Sequence, residues 1–98
     1  MVIKSEYLIF GQTIKVSYSR TLIKRHNAFG LWNYNTNKIV LQQSTRQYPL
    51  TKEQINSTLV HEMTHCFLDL MGEQELSSNE KLVHTLGNLI HQFIEQNE

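Results

Sequence analysis

The sharpest constraint on this 98-residue chain is a change of apolar rhythm at Pro49. Before it, apolar side chains alternate in short runs; after it they recur every three or four residues. A proline disfavours helix at the residue before it, and Thr51-Lys52-Glu53-Gln54 has the Thr-x-x-Gln form of a capping box. The spacing predicts a helix from about Lys52 to Met71, stopped by Gly72. At about 100° per residue, Ile55, Leu59, Val60, Met63, Cys66, Phe67, Leu70 and Met71 fill one broad arc of it. A polar loop, Glu73 to Ser77, leads to a second helix from about Ser78 to Gln96. Its apolar stripe is Leu82, Val83, Leu86, Leu89, Ile90, Phe93 and Ile94.

The first half reads as strands. Tyr7 to Phe10 precedes a turn at Gly11-Gln12, and from Thr13 to Tyr18 the residues Ile14, Val16 and Tyr18 share one face. A second hairpin runs from Ala28 to Tyr34, turns at Asn35-Thr36-Asn37, and returns from Lys38 to Gln43. Ser19 to Asn27 reads either as a short helix from Thr21 to Arg25 or as a plain connection. The expected fold is α+β: a small antiparallel or mixed sheet followed by two C-terminal helices, in one domain over residues 1–98. A second core would need roughly 50 more residues. Phe29, Trp32 and Phe93 are expected in the core.

Nine basic and nine acidic side chains cancel, which argues against a charge-driven nucleic-acid binder or a polybasic membrane anchor. The opening Met-Val-Ile-Lys-Ser-Glu is no apolar signal segment, and no run of apolar residues is long enough to span a bilayer. Cys66 alone forms no internal disulfide. The expectation is a small cytoplasmic protein.

Within the first helix stands His61-Glu62-Met63-Thr64-His65, the pattern H-E-x-x-H. Histidines four apart stand one above the other on a helix, so both imidazoles reach one ion. Both lie nearly opposite the centre of the apolar arc, on a face that would look into a cleft. Glu62, next round the helix, is placed to act on a metal-activated water without being a ligand. A catalytic zinc site takes a third protein ligand and keeps an open fourth position. Glu80 and His84 are the leading candidates, in that order; Asp69 is too short to converge with both imidazoles. Glu80, His84, Gly87 and His91 share a narrow arc of the second helix, and Gly87 would permit close approach to the first. Ser77-x-x-Glu80 also reads as a capping box, which would occupy Glu80 otherwise.

The run Val60-His61-Glu62-Met63-Thr64-His65-Cys66-Phe67-Leu68-Asp69-Leu70-Met71-Gly72, followed by Asn79-Glu80-Lys81-Leu82-Val83, resembles a small zincin of the gluzincin kind. It is similar to phage and mobile-element proteins of the ImmA/IrrE type. The resemblance implies Zn2+ held by His61, His65 and Glu80, with Glu62 as the general base of a peptidase acting on a protein or peptide. Where larger gluzincins carry an acidic residue one turn past the third ligand, this chain has His84. His84, Tyr34 and Tyr48 are possible oxyanion donors, and a sheet edge at Gly30–Tyr34 or Lys38–Gln43 would pair with an extended substrate. A second reading is a zinc-stabilised binding module without turnover. A third is a metal-free helical interaction domain.

Overall fold

A computed structural model describes residues 1–97. In chain order the elements are β1 (Glu6–Ile9), β2 (Gln12–Ser19), α1 (Leu22–His26), β3 (Gly30–Asn33), β4 (Lys38–Gln42), α2 (Lys52–Leu70), the single turn α3 (Gln74–Ser77) and α4 (Glu80–Gln96). The fold is α+β, as the change of rhythm at Pro49 predicts. No helix among the described residues is long and apolar enough to cross a membrane.

The four strands form one mixed sheet in the order β1-β2-β4-β3. β1 and β2 pair antiparallel, as do β3 and β4, whereas β2 and β4 run parallel in the centre. The first turn is Phe10-Gly11, one residue earlier than expected, with φ of 53° and 75°. Two successive left-handed residues match the right-handed twist of the strands they join. The second turn takes its left-handed step at Asn37 (φ 53°), a residue type that tolerates it. There Asn35 N–H donates to Asn33 Oδ1 at 2.9 Å.

Ile14 and Val16 from β2 and Ile39 and Leu41 from β4 point to one side of the sheet and meet Leu59, Met63 and Cys66 of α2. Tyr18 shares that face, in register with Leu41, but is exposed near the end of its strand. The segment left open in the sequence becomes α1, with Leu22 buried. A polar side chain holds it there. Gln42 is 1 % exposed; its Oε1 accepts from Ile23 N–H at 2.8 Å, and its Nε2 donates to the carbonyls of Arg20 and Gln43, both at 2.9 Å.

α2 starts where the capping box predicts, with Thr51 Oγ1 accepting from Gln54 N–H and Gln54 Oε1 from Thr51 N–H. It ends in a Schellman motif: Gly72 (φ 80°) donates to Asp69 O and Glu73 to Leu68 O. Its buried surface is wider than the predicted arc, because it lies between the sheet and α4. Val83, Gly87 and His91 form the buried line of α4. A Cβ added at Gly87 would stand 3.4 Å from both His61 Cα and Thr64 Oγ1, so the helices nearly touch there. Thr64, buried at this crossing, satisfies its hydroxyl on Val60 O at 2.7 Å.

Several residues expected inside are not. Phe67 and Met71 of the α2 arc are exposed, as are Leu89 and Phe93 of the α4 stripe and Phe29. The reason is the number of layers. α4 is the outermost layer and is covered on one side only, so Leu89 and Phe93 of its stripe face solvent. The expected loop at residues 73–77 contains α3, one turn of helix.

Gln42→Ala tests the polar anchor. Three part-buried backbone groups lose their partner, so urea unfolding should show a loss of about 1–2 kcal/mol, above a typical surface substitution.

Candidate metal centre

His61 and His65 stand one turn apart on α2 and both line an open cleft, although α4 crosses the His61 backbone at Gly87. Their ring centroids are 5.2 Å apart. Glu80, the first residue of α4, reaches both: Oε1 lies 3.0 Å from His65 Nε2 and Oε2 lies 3.4 Å from His61 Nε2. One oxygen faces each imidazole. The three ligand atoms lie within 4.8 Å of one another. Ligand bonds of about 2.0–2.1 Å in a tetrahedron put neighbouring donors about 3.3 Å apart. The three donors converge to within 4.8 Å without an ion, and two imidazoles with one carboxylate are a donor set that suits zinc.

Glu80 arrives there because it is not needed as a cap. The N-cap of α4 is Asn79, whose Oδ1 accepts from Leu82 N–H at 3.1 Å. The Ser77-x-x-Glu80 capping box expected from sequence therefore does not form. Ser77 turns inward instead, and its Oγ lies 3.2 Å from His65 Nδ1. His84 lies beside the site, its ring centroid 6.2 Å from that of His61. Its Nε2 is 3.2 Å from Asn88 Nδ2, another residue that lines the cleft.

Glu62 is buried, 9 % exposed, between α2 and β3. The sheet order makes β3 an edge strand, which settles that β3 and not β4 carries the free edge. Phe29 O accepts from Gln42 N–H. Alternation along the ladder then turns the backbone groups of Gly30 and Trp32 outward. The Trp32 N–H donates to the Glu62 carboxylate, consistent with that phase. Gly30 makes the contact possible, since a Cβ there would lie 2.6 Å from Thr58 Cγ2 and 3.0 Å from Glu62 Cγ. Trp32 is tied a second time: its indole Nε1 donates to Asp69 Oδ2 at 2.8 Å. Asp69 thus serves the cleft wall rather than the metal cluster.

Electrostatics follow from this packing. Burial pushes the Glu62 carboxyl up to about 7, with the Glu80 charge adding to the rise and His65 and the Trp32 N–H opposing it. Burial, helped by His65 and opposed by Glu80, lowers the pKa of His61 and favours the neutral imidazole that binds metals. Burial also raises the Cys66 thiol to about 11, which leaves it unreactive in the core.

These groups line an open cleft of about 640 Å3, with Gly30 and Trp32 on one wall, His61, Glu62 and His65 on the floor, and Glu80 and His84 opposite. Tyr34 and Tyr48, considered as oxyanion donors, are not among its lining residues. The expected sheet edge at Gly30–Tyr34 supplies this wall, and Trp32 packs against the core as expected while its indole N–H reaches Asp69. Comparison of the chain with protein-family models, with curated proteins and with solved structures gives no match.

The raised Glu62 carboxyl predicts a stability slope in metal-free protein. Between about pH 4.5 and about pH 7 the folded state holds a proton that the unfolded chain has released. That contribution is complete below pH 4.5 and is lost as pH rises through 7. Glu62→Gln lacks it, so the variant should gain about 2 kcal/mol on wild type across this window in urea titrations. His61 contributes an opposite slope, which the two proteins share.

Proposed function

We propose that this protein is a zinc-dependent peptidase of the small gluzincin kind, with His61, His65 and Glu80 as metal ligands and Glu62 as general base. The observation that carries the reading is Glu62: a buried carboxyl on a strand edge, one residue from a convergent His-His-Glu set. A structural metal site has no use for a proton acceptor in that place.

Zinc, when bound, polarises a scissile carbonyl and lowers the pKa of water toward 7. Glu62 accepts a proton from the attacking water and passes it to the leaving amine. The outward backbone groups of Gly30 and the outward carbonyl of Trp32 hold an extended peptide along β3 by strand addition. His84, on the opposite wall, steadies negative charge on the carbonyl oxygen. The substrate class is a protein or peptide in an extended conformation.

A second reading, a zinc-stabilised binding module, draws support from the exposed Phe29, Leu89 and Phe93, which give a small domain adhesive surface. The two readings part at Glu62.

Protein purified without chelator should contain about one zinc per chain, and His61→Ala or Glu80→Ala should lose it. Chelation should lower the melting temperature, because ion binding is linked to folding. Glu62→Gln should keep fold and zinc while losing peptide hydrolysis in a proteolysis screen. A wild type that takes up no zinc on reconstitution overturns the metal site; a fully active Glu62→Gln overturns the general base.

A further inference from the structure

Ser77 lies outside every motif that the sequence offers for metal chemistry, and the capping role expected for it belongs to Asn79. Its side chain is nevertheless buried, 6 % exposed, in a short turn at the surface of the molecule. Its Oγ stands 3.2 Å from His65 Nδ1 and donates to the His65 carbonyl oxygen at 3.4 Å. With its proton turned to the carbonyl, the hydroxyl has an oxygen lone pair to offer Nδ1.

We propose that Ser77 is a positioning residue that fixes the tautomer and ring orientation of His65 for metal binding, an inference that rests on the zinc site proposed above. A neutral imidazole has a single proton, and the partner of one nitrogen decides which nitrogen holds it. With Nδ1–H donating to Ser77 Oγ, the Nε2 lone pair is free, and Nε2 is the atom that faces Glu80 at 3.0 Å. A hydrogen bond on the far nitrogen of a ligating histidine also raises its basicity and locks its plane. Among the described residues, His61 has no such hydrogen bond to Nδ1, so the two ligands are unequal. His65 is the pre-set ligand, and His61 adjusts to the ion.

The chain order makes the arrangement economical. Four consecutive residues, Ser77 to Glu80, orient one ligand, cap α4 and supply another ligand. Serine suits the position because its hydroxyl reverses direction freely. In the metal-free protein, where His65 Nε2 faces the Glu80 carboxylate, Ser77 can donate to Nδ1 instead.

The test compares zinc affinity, by chelator competition, in wild type, Ser77→Ala, Ser77→Thr and Ser77→Val, with cobalt substitution to read coordination by visible absorption. Thermal unfolding of each metal-free protein shows whether the fold is intact. Ser77→Ala should bind zinc about 10–100-fold more weakly, the range for loss of a ligand's hydrogen-bond partner, with altered cobalt bands. Ser77→Thr should stay close to wild type, and Ser77→Val, its isostere without the hydroxyl, should fall with alanine. The threonine and valine pair keeps the comparison valid if the smaller alanine lowers stability. Unchanged zinc affinity and cobalt bands in both Ser77→Ala and Ser77→Val, beside a wild type that binds zinc, overturn the role of Ser77 alone. A wild type that binds no zinc overturns the metal reading itself.

Discussion

The constraint on which the rest of the structure depends is the grip on α2 at two glycines. On one side Gly30 lets an edge strand lie against Thr58 and Glu62; on another Gly87 lets α4 cross over His61 and Thr64. A methyl added at Gly30 would collide at 2.6 Å, whereas one at Gly87 would sit in van der Waals contact at 3.4 Å. Together with the apolar packing of Leu59, Met63 and Cys66 on the sheet, they leave one face of the helix free. That face carries the two imidazoles. The cleft is what remains when a helix is covered everywhere it can be.

This packing also resolves a tension in the position of Glu62. A carboxyl in the middle of a gripped helix should be costly to bury, and its raised pKa registers that cost. The Trp32 N–H offsets part of it, and only an edge strand has such a group to give, since inner strands use theirs in the ladder. Placement of β3 at the margin of the sheet and placement of a buried acid beside the histidines are therefore one feature seen from two elements.

Much of this was legible in residue order. The Thr51–Gln54 box and Gly72 mark both ends of α2 because caps are local chemistry, readable within a few residues. His61, Glu62 and His65 read as a unit for the same reason, and helical spacing puts Glu80 and His84 on one arc, of which Glu80 meets both imidazoles. The failures are non-local. Ser77-x-x-Glu80 looks like a cap in isolation, but Asn79 competes for the same helix end and prevails. Phe67, Met71 and Phe93 have the right periodicity for a core, yet periodicity says which face is apolar and not how many layers will cover it. Gln42 gives no sequence signal at all. Its three hydrogen bonds exist only once α1 has folded back beside β4.

The bond between Trp32 and Asp69 has an optical consequence. Trp32 is the single tryptophan of the chain, so all indole emission comes from one wall of the cleft. Its ring N–H is held by a carboxylate on α2, and its backbone N–H is held by Glu62. Emission wavelength and quenching therefore depend on whether β3 sits against the helix or lifts from it. An unlabelled sample carries its own reporter of strand-edge occupancy, in the same position where an extended chain would add to the sheet.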